Sequence, residues 1–315
     1  MNFQTQIPLQ KSDFPIDYTS KVLSLGSCFA ENMAEKLEYF KFENVVNPFG
    51  IIFNPVSLEK LILRSIHKNY FTANDIFYHN EAWHCYEVHS ELSNPDKEEF
   101  LSNLNQLIDS TNQELSKSTH VIITLGTSWV YRHVESNEIV ANCHKVPQKQ
   151  FVKELLSIAQ IEASLQNIIS EIQTINPKCN FVFTVSPVRH IKDGFVENTL
   201  SKAHLISALH ATNFQLPTSN YFPSYEIMMD ELRDYRFYAE DMLHPNQTAI
   251  DYIWIKFFEN YIDEKEFSLM NQVCEIQRAL KHRPFNPNSE SHKKFLENLN
   301  QKINTLVKKY PNFQF

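Results

Sequence analysis

A serine near the start of the chain stands where a nucleophile could act. Ser27 follows the apolar run 21–25 and Gly26, and a helical pattern begins directly after it, over 29–40. A strand that ends at a helix entrance puts the hydroxyl at the C-terminal edge of a sheet, among N–H groups that lack helical partners. Such a position suits a nucleophile and the oxyanion formed by its attack. Serine in this place can also cap a helix without doing any chemistry.

An aspartate and a histidine near the other end of the chain are spaced for a base and its orienting partner. Asp241 and His244 precede Pro245, which suits the first position of a helix predicted at 246–260. In such a turn the carboxylate can hold one ring nitrogen while the other faces a nucleophile. The alternative is that Asp241 caps the helix locally. The chain has 13 histidines, so a histidine alone is no signal.

The elements that would position these residues alternate between strands and helices. Apolar runs predict buried strands at 21–25, 120–125 and 180–186, and periodic segments between them predict helices. This order favours a mostly parallel sheet with helices on both faces, whose sites lie at the carboxyl ends of the strands. Predicted helices lie at 56–67, 96–116, 150–175, 198–212 and 226–233, and predicted β-hairpins lie within 70–92 and at 129–141.

The last fifty residues have no strand signal. Helices predicted at 265–282 and 289–309 flank the breaker Pro284–Pro287. We therefore expect one catalytic domain over 1–262 and a C-terminal helical extension over 263–315 packed on it.

Composition excludes several classes of protein. A formal charge of −8 argues against a nucleic-acid partner, and no apolar run is long enough for a membrane span. The first eight residues predict no signal peptide. Five scattered cysteines form no disulfide or zinc pattern and favour the cytoplasm, while four glycines cannot supply a dinucleotide or P-loop fingerprint. We expect no cofactor.

These features together resemble the SGNH (GDSL-like) hydrolases. More narrowly, Gly26-Ser27-Cys28-Phe29-Ala30 spells the motif for which the GSCFA family is named, and the resemblance covers most of 20–260. It implies a three-layer α/β/α sandwich with a flavodoxin-like parallel sheet, small β-hairpin insertions and the C-terminal helical extension. It also implies Ser27 as nucleophile, His244 as general base and then acid, and Asp241 as orienter.

The resemblance further implies an oxyanion hole built from three donors. The N–H of Ser27, the N–H of a second-block glycine, matched here to Gly50, and a third-block asparagine would supply it. The third block departs from the Gly-x-Asn-Asp pattern, since it reads Gly126-Thr127-Ser128-Trp129. The hydroxyl of Ser128 is then the expected third donor.

Further polar residues are candidates for binding substrate. Asn142 and His144 follow the second predicted hairpin and could offer donors to an acyl or anionic group; a solvated strand end is the alternative. Arg189 follows a strand end and could bind a carboxylate or phosphate. A metal site is disfavoured, because His79, His84 and His89 lie five apart and alternate between strand faces.

We therefore expect an ester hydrolase that is independent of metals and acts on a small-molecule or carbohydrate ester, with no nucleic-acid or membrane partner. The acyl group, for which acetyl is one candidate, would pass through an acyl-enzyme on Ser27. Three alternatives stay open. The same triad could transfer the acyl group to a carbohydrate hydroxyl, or the fold could serve as a non-catalytic binding module. The third alternative is a metal-dependent phosphoesterase, which full activity after exhaustive chelation would count against.

Overall fold

The computed structural model describes residues 4–213 and 218–315. Residues 1–3, at the start of the segment for which no signal peptide is predicted, lie outside the described residues. Ten strands lie among the described residues: β1 (Lys21–Gly26), β2 (Glu43–Val46), β3 (Phe77–His79), β4 (Ala82–His84), β5 (His120–Leu125), β6 (Trp129–His133), β7 (Ile139–Val140), β8 (Phe151–Leu155), β9 (Asn180–Val185) and β10 (Ser219–Phe222).

Nine α-helices accompany these strands in the same described residues: α1 (Cys28–Tyr39), α2 (Pro55–Ile66), α3 (Lys97–Lys117), α4 (Ile158–Ile175), α5 (Phe195–Asn213), α6 (Ser224–Glu226), α7 (Gln247–Tyr261), α8 (Phe267–Leu280) and α9 (Glu290–Lys309).

The central sheet has five strands, all paired in parallel. Their order is β10-β9-β5-β1-β2. Counted along the chain within this sheet, the order is 2-1-3-4-5, which is the flavodoxin-like arrangement. The predicted fold class is therefore confirmed.

Alternation along the strands builds the three layers. Leu23, Val121 and Phe181 point to one face, where they pack with helices α2 to α5. Val22 and Ile122 point to the other face, where they pack with α1 and α7. Because neighbouring side chains on a strand alternate in direction, a strand buried on both faces reads as a continuous apolar run.

Two small antiparallel sheets are inserted between elements of the parallel sheet. One joins β3 to β4, and the other has the order β7-β6-β8. Both predicted hairpins are confirmed. The helix predicted over 150–175 is wrong in its first turns, because 151–155 form β8 on the edge of β6. A capping box of Ser157 and Gln160 starts α4 only at Ile158.

The edge strands β2 and β10 have no counterpart among the predicted strands. Each has four residues, and most of those residues are only partly buried. A short strand at a sheet edge therefore lacks the continuous apolar run that marks β1, β5 and β9 in the sequence.

The C-terminal helices pack on the sheet domain through a separate apolar cluster. Leu269 and Val273 of α8 meet Leu299 and Leu306 of α9. Tyr18, which precedes β1, joins this cluster and stacks on Phe42 with ring centroids 4.3 Å apart. No helix in the described ranges is long and apolar enough to span a bilayer.

Candidate active site

The turn that carries Ser27 depends on glycine. Gly26 has a φ of 131°, and a Cβ there would lie 2.1 Å from the carbonyl oxygen of Thr124 on the neighbouring strand. This close approach lets the N–H of Ser27 donate to that same oxygen at 3.0 Å. The Ser27 side chain then caps α1, since its Oγ accepts from the N–H of Phe29 at 3.3 Å. Ser27 is 2% exposed.

An asparagine from the loop after β2 holds this turn. Asn47 Oδ1 accepts from the N–H of Gly26 at 2.8 Å, and its Nδ2 donates to Glu31 at 3.3 Å. Asn47 itself has a φ of 39°, a region that asparagine tolerates better than most residues. In the sequence Asn47 stands out only as part of an Asn-Pro step, which is typical of a turn and names no partner.

The predicted pair of Asp241 and His244 forms. Asp241 Oδ2 lies 2.5 Å from His244 Nδ1, and Oδ1 accepts from the N–H groups of Leu243 and His244 at 2.9 and 3.0 Å. These two backbone donors and then the imidazole lower the pKa of Asp241 to about 2. The His244 side chain is 48% exposed, so its Nε2 edge is free to face a reacting group.

A backbone hydrogen bond ties this turn to the segment after β9. The N–H of Arg189 donates to the carbonyl of Leu243 at 3.2 Å.

The expected helix start at Pro245 is wrong, because Asn246 is the N-cap of α7 and Pro245 instead pairs with Tyr238 in an isolated bridge.

Ser27 and His244 lie at the same carboxyl edge of the sheet. Ser27 follows β1 and the His244 turn adjoins the segment after β9, with β5 between these strands. Strands lie about 4.8 Å apart, so the two anchoring segments are separated by about 10 Å. Within the described ranges no hydrogen bond joins the Ser27 hydroxyl to the His244 ring.

The three expected oxyanion donors are bonded within the protein. The N–H of Gly50 donates to the carbonyl of Asn47 at 2.8 Å, in a turn where Gly50 has a φ of 76°. Ser128 is fully buried: its N–H donates to Ser201 Oγ at 2.8 Å, and its hydroxyl donates to the carbonyl of Ser201 at 3.1 Å. The N–H of Ser27 is held by the sheet, as described above.

Asn142 and His144 lie under the inserted hairpins and bond to local groups. Asn142 Oδ1 accepts from the N–H of His144 at 2.8 Å. His144 Nε2 lies 2.7 Å from the carbonyl of Cys85, and its ring packs 4.8 Å from the ring of His84. Burial lowers the pKa of His144 to about 4, which suits a neutral structural histidine.

A lysine lies buried beneath the same sheet edge. Lys202 of α5 is 1% exposed, and its Nζ donates to the carbonyl oxygens of Gly126 and Ser186, both at 2.7 Å. No carboxylate among the described residues pairs with it. Burial lowers its pKa to about 7. The sequence gives no signal for this role, since one lysine in a helical pattern normally marks the exposed face.

A second histidine lies at this edge with an unsatisfied nitrogen. His190 Nε2 is buried and has no hydrogen-bond partner among the described residues. It packs over Gly126, where a Cβ would come within 3.3 Å of it, and its ring centroid is 5.7 Å from that of Phe53. Burial, and then the charges of Lys202 and His244, lower the pKa of His190 to about 3. The ring is therefore neutral at physiological pH.

In the parts of the chain that the structure describes, no group of three or more His, Cys, Asp and Glu side chains is placed to hold a metal ion.

Fold and site together define a class: a flavodoxin-like α/β protein with a serine at the end of its first strand and a His–Asp pair at the same edge. The chain matches the GSCFA family over residues 21–257, a span that includes Ser27 and His244, and it belongs to that family. Residues 273–315 match the C-terminal domain of GSCFA domain proteins. A comparison with curated proteins gives no match.

Proposed function

We propose that this protein is a serine esterase of the SGNH (GDSL-like) type that cleaves an acyl ester through an acyl-enzyme on Ser27. The observation that carries the proposal is the Asp241–His244 pair, 2.5 Å apart and tethered to the sheet edge at which Ser27 ends β1. A base that is held by a carboxylate, at the same sheet edge as a strand-end serine, supplies the groups that acyl transfer requires.

The roles follow from which atoms are free. Because His244 Nδ1 is held by Asp241, its Nε2 takes the proton of Ser27 as Oγ attacks the acyl carbon. The bond to the alcohol oxygen then breaks, and His244 gives that proton to the departing alcohol. In the second half, water gives a proton to His244 and attacks the acyl-serine, and the proton returns to Ser27 as the acid leaves.

The reaction requires the Ser27 hydroxyl to leave its capping bond. At 3.3 Å the bond from the N–H of Phe29 is long, and a capping bond contributes about 1 kcal/mol. Hydrogen bonds between catalytic groups are often loose before substrate binds.

His190 is the donor that we assign to the developing oxyanion. The N–H groups of Gly50 and Ser27 and the hydroxyl of Ser128 are already bonded elsewhere. A neutral imidazole carries one N–H, and the free Nε2 of His190 lies over Gly126 at the end of β5, the strand beside β1. The N-terminus of α1 adds a favourable field at the same place.

A fluorophosphonate probe tests this proposal, because it reacts with serines that a base activates. We expect the folded protein to be labelled at Ser27, as mapped by mass spectrometry of its peptides, and the Ser27→Ala variant to stay unlabelled. Absence of labelling in wild-type protein at high probe concentration would contradict the esterase proposal.

Transfer to a hydroxyl acceptor uses the same acyl-enzyme and differs only in what attacks it. Adding a carbohydrate acceptor during hydrolysis of 4-nitrophenyl acetate separates the two. An acylated acceptor would assign a transferase, and acetate alone would assign a hydrolase.

A non-catalytic binding module is the second candidate. The observations that favour it are the 2% exposure of Ser27 and the internal bonds of the three expected oxyanion donors. This candidate predicts neither labelling nor ester turnover in a protein that melts cooperatively.

We also propose a cytoplasmic location for the protein. The five cysteines of the protein are all free. Burial raises the pKa of Cys85 to about 12, so that this thiol stays protonated. Free thiols of this kind persist in a reducing compartment.

A further inference from the structure

A cavity of about 270 Å³ lies beside the turn that carries His244. Its walls include Arg189, Arg233, Asp234, Tyr235 and Tyr238.

Two backbone contacts place this cavity against the candidate base. The N–H of Arg189 donates to the carbonyl of Leu243, and Tyr238 pairs with Pro245. Two residues of the cavity wall thus flank the turn that carries His244. In the proposed reaction His244 gives its proton to the leaving alcohol, so a cavity beside it would receive the alcohol portion of the ester.

In the described ranges, the guanidinium of Arg189 is not paired with a carboxylate. No carboxylate among the described residues lies within salt-bridge distance of it, and its guanidinium carbon is 5.3 Å from the ring centroid of Phe195. The charge of Arg189 and its side-chain hydrogen bond to Tyr238 both lower the pKa of that tyrosine, against the larger rise caused by burial. An arginine that has no carboxylate partner and lies in a cavity wall is suited to a carboxylate or a phosphate.

The one carboxylate in the wall does not cancel this charge. Asp234 is bound by Arg236, whose Nη2 donates to Oδ2 at 3.0 Å and whose N–H donates to Oδ1 at 2.8 Å. Arg233 lies only at the edge of contact with Asp230, at 4.0 Å, and both side chains are exposed. The cavity therefore has a net positive wall. Tyr235 and Tyr238, with ring centroids 5.7 Å apart, give it an aromatic side.

We infer that this cavity is an anion-binding subsite, in which Arg189 pairs with an acidic group on the alcohol portion of the ester substrate. The inference rests on the proposed esterase function. It narrows the substrate class to esters whose alcohol carries a carboxylate or a phosphate, with an aromatic or sugar ring against the two tyrosines.

Matched acetyl esters test the subsite. The substrates are 4-acetoxybenzoate and its neutral isostere 4-acetoxybenzamide, with 4-acetoxyphenyl phosphate as the phosphate arm. We expect wild-type protein to have a higher kcat/KM for an anionic ester than for the amide. A hydrogen bond to a charged group is worth about 1.5–3 kcal/mol, so Arg189→Gln should lower the ratio of anionic to neutral kcat/KM by about 10- to 100-fold. The arm with the larger loss identifies the acid as carboxylate or phosphate.

Arg283→Gln is the matched control, since it removes an exposed arginine from the segment between α8 and α9, outside the cavity wall. It should leave the ratio unchanged. Arg189→Lys keeps the positive charge but lacks the paired N–H donors of a guanidinium. It should retain part of the preference for the anionic ester. An unchanged ratio in Arg189→Gln, or an equal fall for all three esters, would overturn the inference.

A binding measurement separates this inference from the esterase proposal. Should wild-type protein hydrolyse none of the esters, titration calorimetry with 4-hydroxybenzoate and 4-hydroxyphenyl phosphate decides. Binding to wild-type protein that is lost in Arg189→Gln would support the subsite although the esterase proposal had failed. No binding of either compound would overturn the subsite.

Discussion

The ammonium of Lys202 donates to the carbonyl oxygen of Gly126 at 2.7 Å, across 76 residues of sequence. With its second bond, to the carbonyl of Ser186, it joins the ends of β5 and β9 to α5. Lysine is rarely fully buried unless it is paired with a carboxylate. Here two carbonyl groups satisfy it, and its positive charge lies near His190 beneath the candidate site.

Because Lys202 is buried, the free energy of unfolding should increase as the pH rises above 7. Its pKa falls from 10.5 to about 7 on folding, so between these values the unfolded chain binds more protons than the folded one. The free energy of unfolding of wild-type protein, relative to Lys202→Met, should therefore rise from pH 7 toward pH 10. The limiting slope is about 1.4 kcal/mol per pH unit. Urea unfolding of both proteins at pH 7 and 9.5 measures it. A constant difference between them would contradict the buried lysine.

His190 should support turnover as a neutral donor. Because burial lowers its pKa to about 3, its charge does not change between pH 5 and 9. Loss of one oxyanion donor typically lowers kcat by about 10²–10³. The kcat of His190→Ala should therefore be lower than that of wild-type protein by this factor, at constant KM. His190→Gln, whose amide can donate, should recover part of it. The loss should be the same at every pH from 5 to 9; unchanged kcat in His190→Ala would remove the residue from the site.

Asp241→Asn separates orientation from folding. The amide oxygen can still accept from the N–H groups of Leu243 and His244, so the turn should persist. The carboxylate that holds His244 Nδ1 is lost, and kcat should fall by about 10³–10⁴. Because both side chains are about half exposed, the free energy of unfolding should change by no more than about 0.5 kcal/mol in Asp241→Asn and in His244→Ala. Steady-state kinetics and urea unfolding measure the two effects. Ester turnover at the wild-type rate in His244→Ala would refute the triad.

Ser27 and Ser157 form a matched pair of helix caps. Each hydroxyl accepts from a backbone N–H in the first turn of its helix, at 3.3 Å for Ser27 and 3.2 Å for Ser157. Replacing either by alanine should destabilise the protein by about 1 kcal/mol. Only Ser27→Ala should lose fluorophosphonate labelling and ester turnover. Equal activity of the two variants would leave Ser27 with the capping role alone.

The local pattern of residues determined much of this protein. Continuous apolar runs predicted β1, β5 and β9, because strands buried on both faces must be apolar throughout. The Gly26–Ser27 step before a helical pattern predicted a capped helix entrance, and the spacing of Asp241 and His244 predicted a pair within one turn. Each of these depends on contacts between residues close in sequence.

Tertiary structure alone decided which polar groups are free. Ser128 is bound to Ser201, 73 residues away, and Lys202 is bound to Gly126. Residues 151–155 form a strand because they pair with the edge of β6, although the spacing of their apolar residues also fits a helix. The reason is that a buried donor or acceptor must find a partner, and the fold decides which distant group is near enough. Ser27 and the His244–Asp241 pair could therefore be predicted from the sequence. The burial of Lys202 and the unsatisfied ring nitrogen of His190 could not.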